Sequence, residues 1–316
     1  MSSPAPGPGA SGAPAPAPAA PPSTAIPAPK ALAKALEDGM YAKATTPYGR
    51  MFLLSLTGGA FIAWGFIYMV TSQQGMAEWP TGIAKVLGGV VFSVGLGLVV
   101  MSGSDLFTGT TMTVMPWLSK RITAGKMLAH WGISITGNFI GSALMALLIL
   151  LAGVHASNGG AWGLITLNTS LAKVSYDWPR AFFLGLLANF AVCLAVWIAT
   201  AGKTVTDKIL AVIGPISLFV ATGLEHSVAN MFMLPMGLMV KYGAGDEFWN
   251  GAAVQKAGVT VDDFAALTPL SAVWDNLIPV ILGNIVGGAV FVGVYFWLAY
   301  NKPETSAAKE EARKDS

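Results

Sequence analysis

Two of the six long apolar segments in this chain are interrupted partway, and these interruptions constrain the fold more than any other feature. Residues 86–101 are almost wholly apolar, SGSDLFTGTT follows at 102–111, and a shorter apolar stretch resumes to Leu118. Residues 209–221 behave alike before GLEHSVANMFMLPMG at 223–237. At ~1.5 Å per residue, 209–221 covers about 20 Å of a ~30 Å hydrocarbon core. Neither first half is expected to cross a membrane alone, so each pair of halves makes one broken crossing. Irregular backbone at such depth is tolerated only where it lines a cavity or pathway, which makes transport the leading functional class.

Composition supports the membrane assignment. Hydrophobic residues make up 54% of the chain and charged residues 11%, well below the roughly 25% of a soluble domain. The apolar segments run 52–72, 81–118, 127–153, 177–202, 209–235 and 273–300, predicting six crossings. Thirteen of the eighteen Lys and Arg lie in 1–51, 119–126, 203–208 and 301–316, which places those segments and both termini on the cytoplasmic side. Lys85 and Arg180 fall near the outer helix ends, where long side chains snorkel. Cys193 is alone, which excludes an intrachain disulfide.

The chain divides into a tail at 1–29, an amphipathic helix and connector at 30–48, a channel domain at 49–301 and a charged tail at 302–316. The first 29 residues hold ten Pro and nine Ala and no charge, which predicts a disordered extension without the features of a signal peptide. KALAKALEDG at 30–39 reads as a short amphipathic helix, either lying along the inner membrane surface or merely solvated.

Internal repetition is weak but ordered. Gly103-Ser104-Asp105 in the first break is echoed by Gly223-Leu224-Glu225 in the second, and GNFIGSAL at 137–144 by GNIVGGAV at 283–290. Three crossings per repeat is an odd number, so the repeats insert with opposite orientation and both breaks meet near the midplane. The half-helix after each break then begins at mid-depth with its N-terminus directed to the centre, an arrangement favouring an anion. Asp105 and Glu225 are expected to cap orphan N–H groups there rather than to bind solute. His226 is either a hydrogen-bonded structural residue or the pathway's titratable base, and its mid-membrane position favours function. Thr108, Asn189 and Asn284 are neutral groups that line the pathway or join helices.

Together, SGSDLFTGTT, GLLANFAVCLAVW (185–197), GLEHSVANMFMLPMG and DNLIPVILGNIVGG (275–288) resemble the formate/nitrite transporter family over about residues 30–300. Within it, Phe248-Trp249 and the run into DNLIPV are most similar to the formate channels. The resemblance implies an aquaporin-like protomer with its own pore, in a pentamer in the bacterial inner membrane. It further implies that Thr108, His226, Asn189 and Asn284 line the pathway, that Phe92, Leu96, Leu106 and Phe219 form apolar constrictions, and that Lys173 is a basic residue toward the outer side. It carries an expectation of N-terminal gating or of a cytosolic partner there, although the Pro/Ala extension departs from the family's shorter N-terminus. The substrate implied is a small monocarboxylate or inorganic anion, with membrane lipid as surroundings and no nucleic acid, metal or cofactor.

The residues also support a mechanism. Forcing a carboxylate through a dry ring of Leu and Phe costs about 3 to more than 10 kcal/mol, whereas neutralising an acid of pKa near 4 at pH 7 costs ~4 kcal/mol. His226 would lend the proton, Thr108 would orient it, and Lys173 would concentrate the anion; passage of the bare anion through a wetted pore is the alternative. Nitrite, hydrosulfide and neutral small solutes stay open as cargo. An intramembrane enzyme is disfavoured: HExxH is absent, and GAGD at 243–246 lies in an outer loop without a partner Asp.

Overall fold

A computed structural model of the chain describes residue 3 and residues 25–302. The remainder of the Pro/Ala tail and the charged segment after Lys302 lie outside the described residues, which contain no strand.

Five helices are long and apolar enough to cross a membrane: α2 (Tyr48–Gln73), α3 (Thr81–Ser102), α6 (Ala124–Leu151), α8 (Trp178–Ala201) and a terminal helical run within Val261–Asn301. The length of α3 corrects an expectation. Its 22 residues amount to ~33 Å, so the first half of segment two is long enough to span the hydrocarbon core by length alone. The apolar run from residue 86 understates it, because Pro80 starts the helix and residues 81–85 join without being strongly apolar. The second break behaves as expected: α9 (Val205–Ala221) and α10 (Ser227–Gly243) have 17 residues each, ~26 Å, short of a full crossing.

After α3 the chain continues as a four-residue turn of helix, α4 (Phe107–Thr110), a 3-10 turn (Thr111–Thr113) and α5 (Val114–Leu118). The expected pair of half-helix N-termini is therefore unequal, since the macrodipole grows with the length of aligned helix and α10, although it contains Pro235, runs 17 residues where α4 runs four.

The echoed GNxxG motifs perform the same packing role inside one chain. Gly141 of α6 lies against the Leu56 carbonyl of α2, while Gly283 and Gly287 of the terminal run lie against the Phe182 and Leu186 carbonyls of α8. A Cβ at any of these positions would overlap backbone. The small faces thus join helices within the protomer.

The N-terminal helix α1 spans Pro29–Thr45, longer than the sequence predicted, and one face of it packs on the channel domain rather than being merely solvated. Its Leu32, Leu36, Met40 and Ala44 are buried against α5, α8 and the terminal run. Gly39, read as its end, is an ordinary interior position. At the opposite end of the molecule, α7 (Ala161–Val174) and two short helices, α11 (Asp246–Trp249) and α12 (Ala252–Ala257), form a cap that buries Phe248 and Phe264. Asp246 of GAGD begins α11 there.

Candidate functional site

Each break begins with glycine in the left-handed region, Gly103 and Gly223, both at φ 73°. An L side chain is disfavoured in that conformation, which explains glycine at both helix ends. Each then extends to a tip residue of nearly identical backbone: Leu106 at φ −109°, ψ 121° and His226 at φ −108°, ψ 117°.

A buried asparagine straddles each tip. Asn138 Oδ1 accepts from the Phe107 N–H at 2.8 Å, and its Nδ2 donates to the Ser55 carbonyl at 2.7 Å and the Asp105 carbonyl at 2.9 Å. Asn284 Oδ1 accepts from the Ser227 N–H at 2.9 Å, and its Nδ2 donates to the Gly185 carbonyl at 2.7 Å and the Glu225 carbonyl at 3.1 Å.

The acids do not cap the half-helices. Asp105 accepts from Lys43 Nζ of α1 at 2.7 Å and pairs with His130 Nε2 at 3.3 Å. Glu225 accepts from Lys173 Nζ at 2.8 Å, from Asn230 Nδ2 at 2.7 Å and from Asn276 Nδ2 at 3.0 Å. Buried carboxylates need partners of this strength, and the asparagines and the histidine ring already take the orphan N–H groups. His226 is the cap: its Nδ1 accepts from the Ala229 N–H at 3.1 Å. With Nδ1 an acceptor, the neutral ring carries its proton on Nε2, which donates to Thr108 Oγ1 at 2.9 Å.

Two cavities approach this bond from opposite ends. On the α7 side, a cavity of about 620 Å³ is bordered by Lys173, Glu225, Asn230, Phe92, Phe219 and His226. On the α1 side, one of about 280 Å³ is bordered by Lys43, Ser104, Thr110, Lys208, Leu96 and Leu106. Between them Phe92 and Phe219 meet edge to face with centroids 5.6 Å apart, and Phe219 lies over the His226 ring at 5.8 Å. All four expected constriction residues, Phe92, Leu96, Leu106 and Phe219, are buried here.

Asn189 and Asn284 stand behind the breaks. Asn189 Nδ2 donates to the Asn284 carbonyl at 2.6 Å and the Thr108 carbonyl at 3.1 Å, tying the first break to the terminal run whose Asn284 side chain clamps the second. Lys173 is 8% exposed and ion-paired, so it is a buried wall of the larger cavity rather than an open surface charge. Among the described residues, no three His, Cys, Asp or Glu side chains converge as metal ligands.

The formate/nitrite transporter family model matches residues 30–298. The chain belongs to that family. It is 41% identical over 272 residues to the formate channel FocA of Escherichia coli K12, covering 86% of this chain and 94% of that one. It is 44% identical over 244 residues to FocA of Haemophilus influenzae, covering 77% and 84%. Among solved structures, a pentameric formate channel with formate bound aligns with TM-score 0.75 and 37% identity, covering 81% of this chain and 98% of that one. These relatives of the transporter family are channels, as the transport reading of the breaks expects.

Sequence reasoning missed Asn138, Lys43, His130, Asn230 and Asn276. Asn138 carried a signal, since it occupies in GNFIG the place of Asn284 in GNIVG. Lys43 carried none: it lies 62 residues from Asp105 and meets it only when α1 docks.

Proposed function

We propose that the protein is a channel for formate and related small monovalent anions in a bacterial inner membrane, working as a homopentamer in which each protomer has its own pore. Both termini lie on the cytoplasmic side, which the basic residues around α1, 119–126 and 203–208 support. The protomer is read as six crossings in two inverted repeats with an aquaporin-like arrangement: α2, α3 with 107–118, and α6, then α8, α9 with α10, and the terminal run. The matched bonds of Asn138 and Asn284 support that repeat. The formate channels among the relatives, and the pentameric state of the solved neighbour, support the cargo and the assembly.

The observation that carries this reading is the Thr108–His226 bond of 2.9 Å, buried between two cavities behind an apolar slit. An anion reaching the larger cavity meets Lys173 and then Phe92 and Phe219, where passing as an ion is costly. Neutralisation costs ~4 kcal/mol for an acid of pKa near 4 at pH 7. The resting His226 ring has one proton, on Nε2, and a neutral imidazole does not lend it. A second proton must arrive on Nδ1, and the bond from the Ala229 N–H is then lost. Proton lending is thereby coupled to the cap of α10. The imidazolium, having taken its second proton from water in the larger cavity, passes its Nε2 proton to the carboxylate. The neutral acid crosses the slit, and the ring exchanges its Nδ1 proton for one on Nε2 through water, restoring the Ala229 bond while Thr108 holds it in register.

The test is a flux panel in proteoliposomes, with formate, nitrite, hydrosulfide, acetate and glycerol at two pH values. Formate flux exceeding that of acetate and glycerol and rising toward acid pH supports the reading. Glycerol moving as fast as formate, with no pH dependence, overturns it.

A further inference from the structure

Asn138 touches neither cavity, yet it has the same bonding as Asn284. Its side chain is fully buried in α6, and both amide hydrogens and the carbonyl oxygen are engaged by backbone. The acceptor and one donor bond fall on either side of a single residue: Phe107 N–H and Asp105 carbonyl flank Leu106, as Ser227 N–H and Glu225 carbonyl flank His226 at Asn284. Its remaining donor reaches the Ser55 carbonyl of α2, so the tip of the first break is referenced to the α2–α6 pair. The first break is followed only by α4, a 3-10 turn and α5, and its other ties hold residues on either side of the tip: the Asp105 N–H to the Leu54 carbonyl at 3.1 Å and Asn189 Nδ2 to the Thr108 carbonyl at 3.1 Å. Among the described residues, Asn138 alone bonds the backbone on both sides of Leu106. Thr108 lies two residues past the tip.

We infer that Asn138 is a positioning residue for transport, setting Leu106 and Thr108 against His226 from one side as Asn284 sets His226 from the other. This rests on the formate-channel reading. The clamp fixes two things at once: the apolar wall at Leu106, and the hydroxyl that receives the His226 Nε2–H. An amide suits the task because only it offers two donors and an acceptor in one plane at this size. Asn138→Leu keeps the branching at Cγ and removes every bond, whereas Asn138→Asp keeps the acceptor for the Phe107 N–H and loses both donors.

The experiment is a double-mutant cycle on formate flux per assembled channel, with Asn138→Leu, Thr108→Val and the combination, each followed across pH 5 to 8. Asn138→Asp runs in parallel in case the Leu variant assembles poorly. If Asn138 acts through Thr108, either asparagine variant lowers flux about tenfold and flattens the pH profile, and it adds little in the Thr108→Val background. A purely structural asparagine would lower the yield of assembled channel, leave the pH profile per channel unchanged and multiply with Thr108→Val; that result overturns the inference. If Thr108→Val itself leaves flux and pH profile unchanged, the functional reading of the Thr108–His226 bond fails first, and this inference falls with it.

Discussion

The two breaks share one backbone and differ in what hangs from it. Gly103 and Gly223 turn alike, Leu106 and His226 sit in nearly the same conformation, and Asn138 and Asn284 clamp them with corresponding bonds. The first break offers an apolar tip and a hydroxyl; the second offers a titratable ring. Their acids differ as well. Glu225 is held by a buried lysine and two amides, while Asp105 is shared between His130 and Lys43, whose side chain is 31% exposed. Matched backbone at the two tips keeps their geometry constant, so on the proposed reading single side chains at matched positions separate barrier from chemistry.

The largest expected effect sharpens the contrast between the acids. Lys173→Met leaves Glu225 buried without its cation and should destabilise the fold by about 3–5 kcal/mol. Lys43→Met should cost less than half as much, because Asp105 keeps His130 and its lost partner was partly solvated. Thermal unfolding of the detergent-solubilised assemblies checks this, and equal losses would erase the distinction. Because Lys173 is buried and paired, any flux deficit on its replacement should also be insensitive to ionic strength, unlike that of an exposed charge.

The tips come next. His226→Asn keeps a polar side chain but removes proton exchange, so formate flux should lose its pH dependence, and either stop or turn into current carried by the bare anion. Leu106→Ala thins the apolar wall and should raise anion leak while keeping the pH dependence. Electrical recording beside flux separates the two, since neutral acid carries no current. Should both variants alter the pH profile equally, barrier and chemistry are not divided between the breaks.

A smaller and deliberately matched effect is expected behind the clamps. Gly141→Ala and Gly287→Ala each place a methyl on a neighbouring helix carbonyl, with overpacking costs of about 1–3 kcal/mol. Similar losses of thermal stability support the repeat; a large loss at one site only would show that the two helix pairs are packed differently.

The smallest effect concerns α1. Hydrogen bonding from Lys34, against a desolvation cost and with help from Arg121, holds the Asp38 carboxyl below its ordinary value of 3.8. A carboxylate depressed on folding stabilises above that ordinary value, and the contribution is lost as pH falls through the lower folded value. With Asp38 47% exposed, the gain is worth no more than about 1 kcal/mol. Protease protection of α1 should therefore weaken slightly below about pH 4 in the wild type, and Asp38→Asn should remove that pH step.

Much of the site was readable where the signal was local. The breaks follow from apolar runs ending in Gly-Ser-Asp and Gly-Leu-Glu, His226 from its place at one of them, and the GNxxG faces from spacing alone. The length of α3 was misjudged because hydropathy marks where a helix is apolar, not where it starts. Cap preference, a local statistic, points to the acids as caps, whereas apart from Asn230 of α10 the partners of Asp105 and Glu225 come from α1, α6, α7 and the terminal run.

By itself the sequence determined that the chain crosses a membrane, where its crossings break, and which glycines let helices meet, because periodicity, hydropathy and backbone freedom are properties of short segments. Only the tertiary structure decided which side chains share a carboxylate, that His226 caps its own helix while donating to Thr108, and that Lys173 is buried. The cap itself is local, but the pairing of Lys173 with Glu225 spans 52 residues and that of Thr108 with His226 spans 118. The energy of such a bond depends on what else is buried beside it, and no local window contains that information.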